Sequence, residues 1–231
     1  MILLCTVTAL LLAGCPQSFV DNEWELPDLR IACKDVGYHE CIATIEADLI
    51  AREGKSVYRA DKDTLVFRTG PNEEFVLRNK TLDRDRSESY RYWGTLRGFH
   101  LIRVQYYEHV GESLLSVETG RLTSIFGLPH LSPTGKWVAS ARSGGFIPRS
   151  SNKIDIWRSD GDGFTRTFDA TLPIYQPGDK PCPGAARLRW VSDDLLQVCW
   201  EIERCNAPNK AVGFIRFDGT EWHVEPVPSD E

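Results

Sequence analysis

Past residue 15 the chain has no uninterrupted apolar run of bilayer length, which for a helix means ~20 residues. The mature chain is therefore expected to fold in water. It also lacks a surplus of positive charge: 27 Lys and Arg stand against 33 Asp and Glu, for a formal charge of -6. Nucleic-acid phosphates call for a cationic surplus, so nucleic acid is not an expected partner. Familiar catalytic signatures are missing too, with no G-x-S-x-G elbow, P-loop, dinucleotide fingerprint or Cys-x-x-Cys. None of the five histidines, His39, His100, His109, His130 and His223, is paired at metal-ligand spacing. Asp160 and Asp162 begin like a calcium loop, but Phe164 and Thr171 stand where further ligands are needed. Acidic neighbours such as Glu73 with Glu74, or Asp193 with Asp194, point to opposite faces of a strand. No catalytic residue, metal or cofactor is expected.

What is present begins at the first residue. Met1 to Gly14 carry no charged side chain, and Ile2, Leu3, Leu4, Val7 and Leu10 to Leu12 form an apolar run closed by small residues. That is the hydrophobic and cleavage region of a secretory signal, and it is too short to span a bilayer comfortably. Leu12-Ala13-Gly14-Cys15 resembles the lipobox of bacterial lipoproteins. The resemblance implies cleavage before Cys15, diacylglycerol on its sulfur, and a membrane partner reached through that lipid. Pro16 rather than Asp follows the cysteine, which by the same resemblance leans toward the outer membrane, facing the periplasm.

Residues 1–14 thus read as signal peptide and 15–28, polar and without period, as a tether. Residues 29–54 read as a helical segment and 55–231 as the main domain. In the helical segment Ile42, Ile45 and Leu49 stand at helical spacing, while Glu40, Glu46, Asp48 and Arg52 fill the other side. Gly54 is placed to close the helix. Five cysteines remain beyond Cys15, and an exported chain meets a compartment where disulfides persist. Cys33 and Cys41 are eight positions apart. In one unbroken helix their Cα atoms would lie ~12 Å from each other, too far to bond. A break at Gly37 would let the chain fold back, and a bridge is expected there.

Beyond Gly54 the helical pattern stops. Short β-rich runs alternate with turn residues about every ten positions. They include Thr64 to Arg68, Gly98 to Glu108 with His100, Ile102, Val104 and Tyr106 on one face, Ile154 to Arg158, and Val212 to Phe217. Thr119-Gly120, Asp160-Gly161-Asp162-Gly163 and Asp218-Gly219 supply the positive φ that tight hairpins need.

Leu131-Ser132-Pro133-Thr134-Gly135-Lys136-Trp137-Val138-Ala139 resembles the motif that opens a blade in TolB-type and WD-like β-propellers. Lys153-Ile154-Asp155-Ile156-Trp157, followed by Asp160-Gly161, resembles the segment that closes one, and Trp190 to Leu196 is a weaker second opening. The resemblance covers roughly residues 98–227. It implies a mainly β, propeller-like stack of about four short-stranded antiparallel sheets behind the small N-terminal helical segment. A nearer resemblance is to bacterial lipoproteins with a single Ser-Pro-x-Gly-Lys unit, and no activity comes with it. Blade geometry puts the loop before one strand and the loop after the next on the same rim. Cys182 and Cys205 occupy two such loops and are expected to pair. Cys199, inside a strand, reads as a small buried hydrophobe.

Two stretches could serve binding. The aromatic run Tyr90, Tyr92, Trp93, Phe99, His100, Tyr106 and Tyr107 suits a core better than a recognition patch. The loop from Arg142 to Asn152, with Ser143, Gly144, Phe146 and Arg149, is long and basic enough to reach out from a rigid scaffold. The expected function is therefore a membrane-anchored, non-catalytic module binding an envelope protein. Ser143-Gly144-Gly145-Phe146 distantly resembles a loop of periplasmic lysozyme inhibitors, which makes an inhibitor or immunity protein the alternative. A hydrolase assembled from distant strands is the second alternative.

Overall fold

A computed structural model describes residues 33–70, 73–81, 87–106, 110–125, 127–142, 153–171, 185–201 and 212–225. Helix α1 (Tyr38–Glu53) leads into four antiparallel sheets. The first sheet holds β1 (Val57–Asp61), β2 (Thr64–Thr69) and β3 (Glu73–Arg78). The second holds β4 (Lys80–Thr81), β5 (Ser87–Leu96), β6 (Phe99–Gln105), β7 (Val110–Ser116) and β8 (Leu122–Ile125). The third holds β9 (Pro129–Leu131), β10 (Trp137–Arg142), β11 (Lys153–Ser159) and β12 (Phe164–Thr171). The fourth holds β13 (Ala185–Ser192), β14 (Leu195–Glu201), β15 (Val212–Phe217) and β16 (Trp222–Glu225). Within each sheet the strands follow chain order without a crossover.

Turn chemistry explains why the strands are short. Thr119-Gly120 joins β7 to β8, Asp160 to Gly163 joins β11 to β12, and Asp218-Gly219 opens the turn into β16, as their composition indicates. At the last of these, Asp218 accepts the backbone N–H groups of Thr220 and Glu221 at 2.8 and 2.9 Å, and Gly219 takes φ +103°. The Ser-Pro-Thr-Gly-Lys segment is the β9–β10 turn. Ser132, fully buried, accepts the Trp137 N–H on its hydroxyl at 3.1 Å, and its carbonyl accepts the Gly135 N–H at 2.8 Å. A residue without a short hydroxyl at 132 would leave that buried N–H unpaired.

Each sheet packs on the next. Val57, Leu65, Phe67 and Leu77 of the first meet Tyr92, Ile102, Val104 and Leu115 of the second, with Leu49 and Ile50 of α1 alongside. Trp93, Phe99, Leu101, Leu114 and Ile125 of the second meet Val138, Trp157 and Phe164 of the third. Trp137, Ala139, Ile154 and Ile156 of the third meet Leu188, Leu196, Val198, Ile215 and Trp222 of the fourth. Burying each large apolar side chain stabilises by ~1.5–3 kcal/mol, so the interfaces between sheets carry most of the cohesion.

The second sheet departs from expectation. Gly98 to Glu108 reads as having one marked face, yet β6 is buried on both. Phe99 and Leu101 enter the core shared with the third sheet, and Ile102 and Val104 the core shared with the first. β5, at ten residues the longest strand among the described residues, is unmarked by periodicity because a bulge between Tyr92 and Gly94 interrupts its register. Tyr92 and Trp93 are consecutive, both buried, and serve opposite cores. The described part of the aromatic run is core, as expected.

Gly37 caps α1 and Gly54 ends it at φ +68°. Cys33 lies in the turn before the helix and Cys41 in its first turns. They are disulfide-bonded with Cα atoms 5.4 Å apart. One residue of the helix corrects the sequence reading: Glu46, assigned to the polar side, is only 3% exposed, for the reason given below.

Strand direction sorts the connections onto two rims. On one, tight turns are stitched across sheets. Gly70 N–H reaches the Val117 carbonyl across the first two sheets, and Val117 N–H the Gly98 carbonyl within the second, both at 2.9 Å. Arg97 donates to the Pro133 carbonyl at 3.3 Å, and the Thr119 hydroxyl to that of Asp162 at 3.3 Å. Thr134 places its N–H and hydroxyl on Asp193, at 3.1 and 2.6 Å. The strand ends at Arg142, Lys153, Thr171, Ala185 and Glu201 lie on the other rim, where Lys153 pairs with Arg142 and Thr171, and Ala185 with Glu201.

Candidate functional site

The described residues form a pocket of about 340 Å³ between α1 and the first two sheets. Ala43, Glu46, Ala47 and Ile50 form its helix wall, Arg59, Asp61 and Lys62 come from β1 and the turn after it, and Arg91 comes from β5. Helical spacing puts Ala43, Ala47 and Ile50 on one stripe, and the two methyl groups leave the space open. Glu46 projects from the same stretch into the fold. Its Oε1 accepts Arg59 Nη2 at 2.6 Å and the Tyr92 N–H at 2.9 Å, and its Oε2 accepts Arg91 Nη1 at 2.8 Å. The Tyr92 N–H sits beside the β5 bulge, so the carboxylate ties the helix to both sheets there. A charge this deeply buried is tolerated because it is paired and hydrogen-bonded on both oxygens.

Asp61 is committed to the β1–β2 turn, accepting the Asp63 N–H at 2.8 Å and the Thr64 hydroxyl at 3.0 Å. These bonds hold its carboxyl below the usual range. Arg59 also donates to the Tyr90 carbonyl, while its Nη1 is buried without a hydrogen-bond partner. Lys62 projects into solvent, its side chain 91% exposed.

A second polar group lies between the second and third sheets. Arg103 and Glu112 are paired across β6 and β7 at 3.3 Å, with the guanidinium 4.5 Å from the centre of the Trp93 ring. On the face of the third sheet that carries Val138 and Trp157, Ser140 and Asp155 pair across β10 and β11, both fully buried, and Arg166 reaches Asp155 at 3.4 Å. Burial pushes the Glu112 and Asp155 carboxyls above the ordinary carboxylate range. Arg103 Nε, Ser140 Oγ, Asp155 Oδ2 and Trp157 Nε1 have no hydrogen-bond partner. Such atoms in a polar seam are the usual sites of buried water.

The other residues singled out by sequence are dispersed. His100 sits at the junction of sheets one and two, 1% exposed. Its Nδ1 is 2.7 Å from the Thr95 hydroxyl, and burial holds its pKa down to about 4. His39 is in α1, His130 in β9 and His223 in β16, the last 2.8 Å from Asp218. Asp160 and Asp162 each form an ion pair with Arg121, at 3.5 and 3.4 Å, a hairpin held to its neighbour. Cys199 belongs to β14, with Arg187 and Val212 as backbone partners. Cys15, the loop residues Ser143, Gly144, Phe146 and Arg149, the pair Cys182 and Cys205, and His109 lie outside the described residues.

Sequence reasoning missed the Glu46, Arg59 and Arg91 cluster. Its members come from three elements with no motif spacing, and the only signal in the sequence was a glutamate beside the apolar stripe of the helix. No family model, curated protein or solved structure matches this chain.

Proposed function

We propose that this protein is an exported lipoprotein, anchored through Cys15, whose β domain is a propeller-like scaffold that binds an envelope protein without catalysing a reaction. The lipobox at Leu12 to Cys15 supports the anchor and, with Pro16, a place on the periplasmic side of the outer membrane. Four serial antiparallel sheets, with the Ser132 to Lys136 turn between β9 and β10 and the Asp160 to Gly163 turn after β11, support the propeller-like arrangement.

The observation that carries the binding reading is the division of the rims. One is a set of short turns hydrogen-bonded across sheets. From the other, the connections at 143–152, 172–184 and 202–211 leave neighbouring strand ends. A scaffold rigid at one end and carrying its longer connections at the other is how folds present recognition loops.

Fatty-acid labelling of cells expressing the chain should mark it, and Cys15→Ala should abolish the label. Crosslinked envelope extract should then yield a stoichiometric partner whose recovery falls with Phe146→Ala and Arg149→Ala. Loss of a muramidase inhibition when Ser143 and Phe146 are changed would favour the inhibitor reading instead. Turnover of a chromogenic ester or glycoside would favour the hydrolase.

A further inference from the structure

We propose that the pocket between α1, β1 and β5 is a binding site for a small carboxylate with a short apolar body. This goes beyond the anchored-module reading and does not depend on it. The first argument is the balance of donors and acceptors. Three cations line the pocket, Arg59, Lys62 and Arg91, against two carboxylates, Glu46 and Asp61. Both carboxylates already hold donors of the fold, Glu46 in the interior and Asp61 in its exposed turn. Glu46 is occupied on each oxygen by the two arginines and the Tyr92 N–H, and Asp61 by its own turn.

The cations are not spent. An arginine carries five N–H donors and a lysine three. Glu46 and the Tyr90 carbonyl engage Nη2 of Arg59, and its Nη1 is buried, so the donors open to a ligand are those of Arg91 and Lys62. Arg91 meets Glu46 through Nη1, and the Lys62 ammonium lies 4.0 Å from Asp63 in open solvent. The lining therefore has a net positive charge and spare donors but few free acceptors, which selects an anion over a cation.

The second argument is shape. Ala43 and Ala47 stand one helical turn apart, and with Ile50 they make an apolar wall beside the cations. The space is at the small end of ligand pockets, enough for a few carbon atoms attached to one charged group. A carboxylate would lie against Arg91 and Lys62 with its alkyl part on the alanine methyls. Glu46 fixes the Arg91 guanidinium in advance, so little side-chain ordering remains to oppose binding.

The test is titration of the purified full chain with sodium butyrate, butanol and butylammonium chloride at constant ionic strength, followed by amide NMR. Butyrate should give saturable shifts centred on Ala43, Ala47, Lys62 and Arg91, and the other two should not. Ala47→Phe, which fills the space, and Lys62→Glu, which reverses an exposed charge, should each weaken butyrate by about tenfold or more while leaving the remaining spectrum in place. Ala47→Glu should supply an internal carboxylate, raising the melting temperature and abolishing the butyrate response. Equal shifts with butanol, shifts that never saturate, or an undiminished response in Ala47→Phe would overturn the proposal. None of these outcomes bears on lipidation or on recovery of an envelope partner.

Discussion

Glu46 and His100 are two buried polar side chains whose environments predict opposite kinds of experiment. Glu46 is held by three donors from β1 and β5. Glu46→Ala removes a shared acceptor and leaves two guanidinium groups and a backbone N–H to find water. The arginine side chains are 19% and 30% exposed, so solvent recovers part of the loss. A destabilisation of about 2–3 kcal/mol is expected, read as a lower urea midpoint at unchanged slope. Arg91→Ala should cost less, since Arg59 still neutralises the carboxylate. His100 predicts a pH dependence. Burial lowers its pKa to about 4 in the folded protein, against ~6.5 when unfolded. Between those values the unfolded chain binds the extra proton. Stability is therefore complete above pH ~6.5 and falls as pH drops toward 4, by up to about 3 kcal/mol. Glu112 and Asp155, raised by burial, contribute a slope of the opposite sign. The informative measurement is accordingly the difference between wild type and His100→Gln, whose stability should decline less on acidification. Parallel curves would count against a buried neutral imidazole.

At the scale of elements, what was legible in the sequence was local. Asp218-Gly219 and Asp160 to Gly163 carry their turn geometry in two to four residues, and Gly37 and Gly54 mark both ends of α1. The Cys33–Cys41 bridge follows from the helix break at Gly37. What was not legible depends on neighbours distant in sequence. β5 hides its strand character because it is buried on both faces, Tyr92 in one core and Trp93 in the other, and the bulge between Tyr92 and Gly94 interrupts its alternation. Glu46 looks solvated until β1 and β5 bring their arginines to it. The Glu112 and Asp155 seam exists only when the second and third sheets meet. Glycines show the same division. Gly161, at φ +92° with open space where a Cβ would stand, is required by its own turn alone. Gly127, at φ +87°, would place a Cβ 2.1 Å from the Ala141 carbonyl oxygen, so the third sheet also requires it. Gly161→Ala should cost the ~1–2 kcal/mol of a left-handed residue. Gly127→Ala should cost clearly more, because backbone must move as well. Thermal unfolding of the two variants side by side reads the difference, and equal losses would mean that the link between the sheets yields freely.

For the whole molecule, order in the chain becomes order in space. Each sheet is finished before the next begins, and each core lies between consecutive sheets. The strand ends at Ala185 and Glu201 are therefore direct neighbours on the rim opposite the stitched turns. Cys182 precedes the first by three residues and Cys205 follows the second by four. A few residues of chain reach ~10–13 Å, more than enough to bring two sulfurs together from adjacent starting points. Cys199 is placed differently, within β14 between Arg187 and Val212, where bonding either loop cysteine would require that loop to fold back along the sheet. Peptide mapping of the unreduced protein should therefore show Cys182 joined to Cys205 and Cys199 as a free thiol. Closing a loop of about twenty residues is worth ~3 kcal/mol in the chain-entropy account. Cys182→Ser with Cys205→Ser should thus lower stability by an amount of that order, with the Cys33–Cys41 bridge still intact. A map joining Cys199 to either loop cysteine would contradict the rim assignment itself, because the same strand register sets both the rim and the pairing.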